Sequence, residues 1–150
     1  VPNVCSEGVG LSKDKSFEGA TYPYPLLMAY ADKDARTAYA MTKAMFDQFD
    51  AYKDAAPGGR GWGLDRQKFD WVLPMHDGAV RYYKEVGKWD AKAQAHQDAN
   101  LRRAKIVKDA WSAYYGKHKD VDEAAYVAGW QKARVAALEA ASLPAVWRDW

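Results

Sequence analysis

Apolar residues recur three and four positions apart along most of this chain, the spacing that places side chains on one face of a helix. Aspartates stand at predicted helix starts, among them Asp77 and Asp120, and glycine or proline follows the ends. The pattern predicts four main helices, over residues 35–54, 77–86, 91–115 and 121–142.

One stretch is better suited to a strand than to a helix. Residues 22–30 begin with alternating tyrosine and proline and continue as five consecutive apolar residues. Pro25 disfavours helical geometry at the residue before it, and a short apolar run is typical of a buried strand. Residues 1–21 have the composition of a loop with a short extended piece. The predicted fold class is therefore mainly α with a short β element.

A strand at residues 22–30 needs partners for its backbone groups. Leaving a buried N–H or C=O unpaired costs about 1–3 kcal/mol. Within the chain, only the apolar segment at residues 69–73 and part of residues 1–21 offer such partners. We therefore expect the best partners of this strand to lie outside residues 1–150 or in a second copy of the chain.

Composition supports a helical fold and excludes several functional classes. There are 27 alanines, and alanine is the best helix former. The 22 basic and 20 acidic residues are interleaved, so the chain lacks the basic stripe of a nucleic-acid-binding protein. No apolar run approaches the roughly 20 residues that span a bilayer. Cys5 is the only cysteine, which excludes an internal disulfide and a multi-cysteine metal site.

No catalytic or metal-binding motif stands out in the sequence. The glycine-rich residues 58–63 follow a predicted helix and lack the context of a phosphate-binding loop, so they favour a helix stop. His76, His96 and His118 do not have the four-residue spacing that places two metal ligands on one helix face. His76 lies between a proline and a helix start, where it either caps the helix or contacts a ligand. We predict no catalytic residues, no metal and no cofactor.

The seven tryptophans mostly fall on predicted helix faces, where core packing is the simplest interpretation. Trp147 and Trp150 lie beyond the last predicted helix and offer exposed anchors for a partner. An alternative function is therefore that of a helical structural or interaction protein that docks to another chain through aromatic residues.

Three motifs, taken in order, carry a resemblance to a known family. They are Tyr-Pro-Tyr-Pro at residues 22–25, Thr-Lys-Ala-Met-Phe at 42–46 and Pro-Met-His-Asp-Gly-Ala-Val-Arg-Tyr-Tyr at 74–83. This order resembles the C-terminal part of the TAXI family of TRAP-transporter solute-binding proteins, over about residues 20–90. Asp77 stands where that family usually has proline.

The resemblance implies a domain organisation. Residues 1–90 would correspond to the C-terminal portion of a type II periplasmic-binding-protein-like α/β fold, and residues 91–150 to an extra helical tail packed on the same domain. The family is about twice this length and binds its solute between two lobes. Val1 is therefore either the start left after removal of a signal peptide or the start of a fragment, and the missing portion or a second copy is an expected partner.

The resemblance also implies a function. It indicates a non-enzymatic periplasmic receptor that delivers a small solute, a carboxylate or an amino acid, to a TRAP membrane permease. Ligands of lobed binding proteins lie where strand ends and hinges meet. Tyr22, Tyr24 and Pro25 are therefore candidates for the hinge or cleft edge, together with His76 as a ligand contact. The alternative for the tyrosines is packing between strand and helix.

Overall fold

The computed structural model describes residues 2–6, 9–20, 26–56, 58–118 and 121–146. Two compact units make up the chain, residues 1–33 and residues 34–150. The predicted division into residues 1–90 and a helical tail at 91–150 stays a prediction.

The first unit contains a two-stranded antiparallel sheet. Strand β1 (Pro2–Cys5) pairs with strand β2 (Phe17–Ala20), with Pro2 opposite Ala20 and Cys5 opposite Phe17. Ser12 and Lys15 form an isolated bridge between them. The extended piece expected within residues 1–21 is thus a complete hairpin, and its two strands use each other as partners.

The prediction of a strand at residues 22–30 is wrong for residues 26–30, the apolar part. Residues 26–30 form no strand, and their large side chains are exposed, up to 87% for Tyr30. Residues 21–25 lie outside the described residues. Apolar character alone does not create a strand, because a strand also needs a neighbouring backbone with which to bond. Residues 69–73, the other expected partner, contain bends and no strand.

The second unit is helical and confirms the mainly α class. Its helices are α1 (Ala35–Asp47), the one-turn α2 (Phe49–Tyr52), α3 (Asp77–Glu85), α4 (Ala91–Tyr115) and α5 (Glu123–Ala140). Two short 3₁₀ turns, Gly59–Trp62 and Leu64–Arg66, connect α2 to α3. None of the helices in the described part of the chain has the length and apolar character needed to span a membrane.

The interior of the first predicted helix and the start of α5 differ from the prediction. The first helix is interrupted at Gln48, so residues 35–54 hold two helices. Just beyond this break, the Tyr52 hydroxyl donates to the Met45 carbonyl at 2.8 Å. Asp122 caps α5 by accepting from the Ala125 N–H at 3.0 Å, and the predicted cap, Asp120, lies outside the described residues. A side-chain cap needs an oxygen within reach of the N2 or N3 amide, which Asp122 provides.

Helices α1 and α3 pack together at a glycine. An added Cβ at Gly78 would lie 2.3 Å from the Ala35 carbonyl oxygen and 2.6 Å from the Tyr39 nitrogen. Only glycine permits this approach of the two backbones. Next to the crossing, the Phe46 ring stacks on Tyr82 with centroids 5.5 Å apart and meets Tyr83 edge-on.

Helices α4 and α5 form a second pair, which has an aromatic interior at one end. The Trp111 ring meets the Trp130 ring edge-on at 4.9 Å, and the buried Tyr114 donates its hydroxyl to the Tyr126 carbonyl at 2.8 Å. Toward the other end of α5, Leu138 is the one large side chain among the described residues that is fully buried. Leu101 of α4, by contrast, is 46% exposed.

Three arginines hold the segment that follows α5. Arg102 donates to the Ala141 carbonyl, Arg103 to the Pro144 carbonyl and Arg134 to the Val146 carbonyl, at 3.1, 2.8 and 2.9 Å. Residues 141–146 are thereby fixed against side chains of both α4 and α5.

Candidate functional site

The start of α3 brings the predicted site residue His76 into a defined position. His76 has an extended backbone and is the N-cap of α3, and its Nδ1 accepts from the Gly78 N–H at 3.1 Å. An accepting Nδ1 carries no proton, so the neutral ring carries its proton on Nε2. Asp77, the predicted cap, is instead the first helical residue, where its carboxylate still faces the positive end of the helix dipole.

The backbone just before His76 is held by a glutamine of α4. Gln97 is 4% exposed, and its Oε1 accepts from the Met75 N–H at 2.8 Å. Its Nε2 donates to the Met75 carbonyl, also at 2.8 Å. Both polar ends of a buried amide are thus satisfied by a single residue, which fixes Met75 in two directions.

Two further α4 side chains hold the same segment four residues earlier. The Trp71 carbonyl accepts from Asn100 Nδ2 at 2.7 Å and lies 2.6 Å from His96 Nε2. A carbonyl only accepts, so His96 carries a proton on Nε2. Among the described residues, the indole N–H of Trp71 is a buried donor that has no partner.

An aromatic cluster lies behind this turn. The buried Tyr83 of α3 meets Phe69 edge-on at 4.8 Å and stacks near Trp89 at 6.4 Å. Its hydroxyl lies 3.5 Å from Gln67 Oε1. The cluster ties the loop before α3 and the residues after it to one helix, and so anchors the turn that bears His76.

Burial raises the pKa of Tyr83 to about 12, because the cluster disfavours the phenolate. In the unfolded chain this hydroxyl ionises near pH 10, so its contribution to stability is complete below pH 10 and is lost as the pH rises toward 12. We expect Tyr83→Phe to make the fall in unfolding free energy between pH 10 and 12 shallower, as measured by urea unfolding. Equal slopes for the two proteins would contradict this assignment.

The outer side of the α1–α3 pair carries a charged cluster. The Tyr39 hydroxyl donates to Glu85 Oε2 at 2.7 Å, and the Arg81 guanidinium lies 4.7 Å from the centre of the Tyr39 ring. The hydrogen bond to Glu85 raises the pKa of Tyr39. These groups are open to solvent and join the two helices across their surface.

The remaining candidates have structural contacts. His118 stacks on Tyr114 with ring centroids 4.2 Å apart, and its Nδ1 lies 2.9 Å from the Tyr114 carbonyl. Cys5 is a free thiol in β1. Within the described ranges, no group of three or more histidine, cysteine, aspartate or glutamate side chains is placed to hold a metal ion.

Of the four predicted site residues, the structure places one. His76 begins α3, whereas Tyr22, Tyr24 and Pro25 lie outside the described residues. Their role at a hinge or cleft edge therefore stays a prediction.

His96, Gln97 and Asn100 were not predicted as residues of this site. Their signal was a polar face on α4, since positions i, i+1 and i+4 fall within an arc of about 100° around the helix axis. That face carries no opposite-charge pattern and does not indicate its partner, which lies 22 to 29 residues away in sequence.

Comparison with known proteins finds similarity to one protein family. Residues 23–87 match the model of the NMT1-like family. This family is related to periplasmic solute-binding proteins, and it is a family of binding proteins, not of enzymes. No curated protein matches the chain, and no solved structure does.

The NMT1-like segment, residues 23–87, contains α1, α2 and α3 and ends before α4. It therefore includes His76 and the glycine crossing of α1 with α3. The three side chains that hold the turn before His76 come from outside it. The family match supports a binding role for the segment. The turn before His76, which lies in the segment, is held by side chains of α4, which lies outside it.

Proposed function

We propose that this chain is part of the solute-binding receptor of a TRAP-type secondary transporter, of the TAXI family, and captures a small carboxylate-bearing solute in the periplasm. The match of residues 23–87 to the NMT1-like family carries the proposal. Two of the three motifs that resemble the TAXI family, at 42–46 and 74–83, lie on α1 and at the start of α3, which pack against each other. The chain would act by binding and release, without catalysis and without a cofactor.

The chemistry of His76 favours an anionic ligand. In a neutral ring that accepts through Nδ1, the donor is the Nε2–H, and carboxylate oxygens accept from such donors. His76 also stands at the positive end of the nine-residue helix α3. Tyr22, Tyr24 and Pro25 would line the hinge or the edge of the same cleft, and a TRAP permease would receive the solute.

A binding experiment with two variants tests this proposal. We expect L-glutamate or succinate to raise the melting temperature of the chain by several degrees at saturating concentration, since a ligand that binds only the folded state stabilises it. Calorimetric titration measures the affinity, and native mass spectrometry detects any retained solute or additional chain.

The matched variant is His76→Asn, because asparagine is a good N-cap and lacks the imidazole N–H. It should retain the unliganded melting temperature and lose most of the response to the carboxylates. Succinamide and glutaramide, which carry no carboxylate, serve as uncharged controls. A chain that responds to none of the carboxylates, or equally to the uncharged controls, would contradict a carboxylate receptor.

A specific observation favours the second candidate, an interaction protein. Trp111 and Tyr115 on α4 are 39% and 52% exposed, and their ring centroids lie 5.6 Å apart, so the two side chains form one apolar patch. Large apolar side chains at the surface are typical of contact sites between proteins. A stable complex with another chain, formed without any response to small carboxylates, would favour this candidate.

A further inference from the structure

The three α4 side chains that hold the turn before His76 act on its backbone. His96 and Asn100 converge on the Trp71 carbonyl, and Gln97 takes both polar groups of Met75. The segment between these two anchors is Val72 to Pro74, which makes no regular structure. It is therefore held at both ends by one helix face.

We propose that Gln97 is a positioning residue for His76. The Met75 carbonyl is bonded directly to the His76 nitrogen, so its orientation sets the peptide plane that leads into the cap. Gln97 donates to that carbonyl at 2.8 Å and accepts from the N–H of the same residue. With both sides of Met75 fixed, His76 starts from one backbone position, from which its Nδ1 reaches the Gly78 N–H.

The burial of Gln97 restricts the orientations that the Met75 backbone can adopt. Gln97 is 4% exposed, so releasing its amide from Met75 would break two hydrogen bonds at a buried side chain, where an unmade bond is costly. A rotated turn would leave polar atoms of both residues unpaired. The turn therefore has one favourable arrangement, as a binding site with defined geometry requires.

The proposal gives α4 a part in the function of a segment that ends at residue 87. The part of the proposal that concerns solute binding rests on the proposed function, because the position of His76 affects affinity only if His76 contacts the solute. The part that concerns the position of His76 does not depend on a ligand.

The structural test uses isotope-labelled full chain and three variants. Gln97→Met retains the side-chain volume and removes both hydrogen bonds, and Gln131→Met makes the same change on α5. We expect Gln97→Met to speed hydrogen exchange of the Met75 amide about tenfold, the effect of losing roughly one net hydrogen bond. It should also shift the Gly78 amide and His76 imidazole signals, while Gln131→Met leaves them in place.

Gln97→Glu provides a pH-dependent rescue that a packing role would not produce. An ionised carboxylate only accepts, so it opposes the Met75 carbonyl, whereas the protonated acid donates to it. Burial at position 97 raises the pKa of a glutamic acid above its ordinary value of about 4.3, so we expect a wild-type-like Met75 amide signal below that raised pKa and its loss as the pH rises above it. Wild-type protein at each pH is the reference. Unchanged signals in Gln97→Met, or no pH-dependent recovery in Gln97→Glu, would overturn the proposal.

The solute test uses L-glutamate and succinate. If the wild type binds either one, Gln97→Met should weaken binding about tenfold and Gln131→Met should not. Equal affinity in wild type and Gln97→Met, together with shifted His76 signals, would overturn the link between position and binding. If the wild type binds neither, the proposed function fails, and the exchange and signal measurements still decide the positioning role.

Discussion

Replacing Gly78 with alanine is expected to lower the free energy of unfolding by about 3 kcal/mol, the upper part of the range for overpacked sites. The new Cβ would lie 2.3 Å from the Ala35 carbonyl oxygen, which belongs to the backbone of α1 and cannot turn aside as a flexible side chain does. Helix α3 must then move away from α1. The gain in helix propensity from glycine to alanine, about 1 kcal/mol, offsets only part of this cost.

Urea unfolding followed by circular dichroism measures the change, and Gly61→Ala is the matched control. A Cβ at Gly61 meets no atom within 4 Å, so its unfolding free energy should stay within about 0.5 kcal/mol of the wild type. Similar stabilities for Gly78→Ala and Gly61→Ala would show that the two helices do not cross as closely as described.

Replacing Leu138 with alanine should produce the second large loss, about 3 kcal/mol, because it opens a cavity at a fully buried position of α5. Leu138 lies in the last turn of α5, where the Leu143 N–H donates to its backbone carbonyl at 2.9 Å as the chain leaves the helix. The cost therefore falls on the end of α5 and on the segment held there by the arginines.

Leu101→Ala on α4 makes the same substitution at a side chain that is 46% exposed. It should cost less than about 1 kcal/mol, since it removes less buried surface and leaves no closed cavity. The same urea measurement applies. A loss for Leu101→Ala as large as that for Leu138→Ala would contradict the burial described for α5.

The long helices follow from local chemistry, and so the sequence predicts them well. Helix α4 has the predicted bounds, because Asp90 accepts from the Ala93 N–H at its start and helix-favouring residues continue without a break. The interruption at Gln48 has no comparable local signal. No glycine or proline marks it, and the contact from the Tyr52 hydroxyl to Met45 spans seven residues.

Features that depend on distant partners were the ones that the sequence did not reveal. Residues 26–30 have the composition of a strand and form none, whereas β1 and β2 pair with each other. At the candidate site, the sequence offered two roles for His76, and the structure shows the capping role. Gln97 was not predicted at all, because its partner is the backbone of a residue 22 positions earlier.

The two hydrogen bonds between Gln97 and Met75 also determine which substitutions the chain tolerates in evolution. Both bonds end on main-chain atoms, which every residue except proline supplies. This contact therefore does not constrain the side chain at position 75. The amide at position 97, by contrast, has no substitute that both donates and accepts at the same reach. Among related chains, residue 97 would then be constant while residue 75 varies. A search for correlated substitutions would not detect this contact.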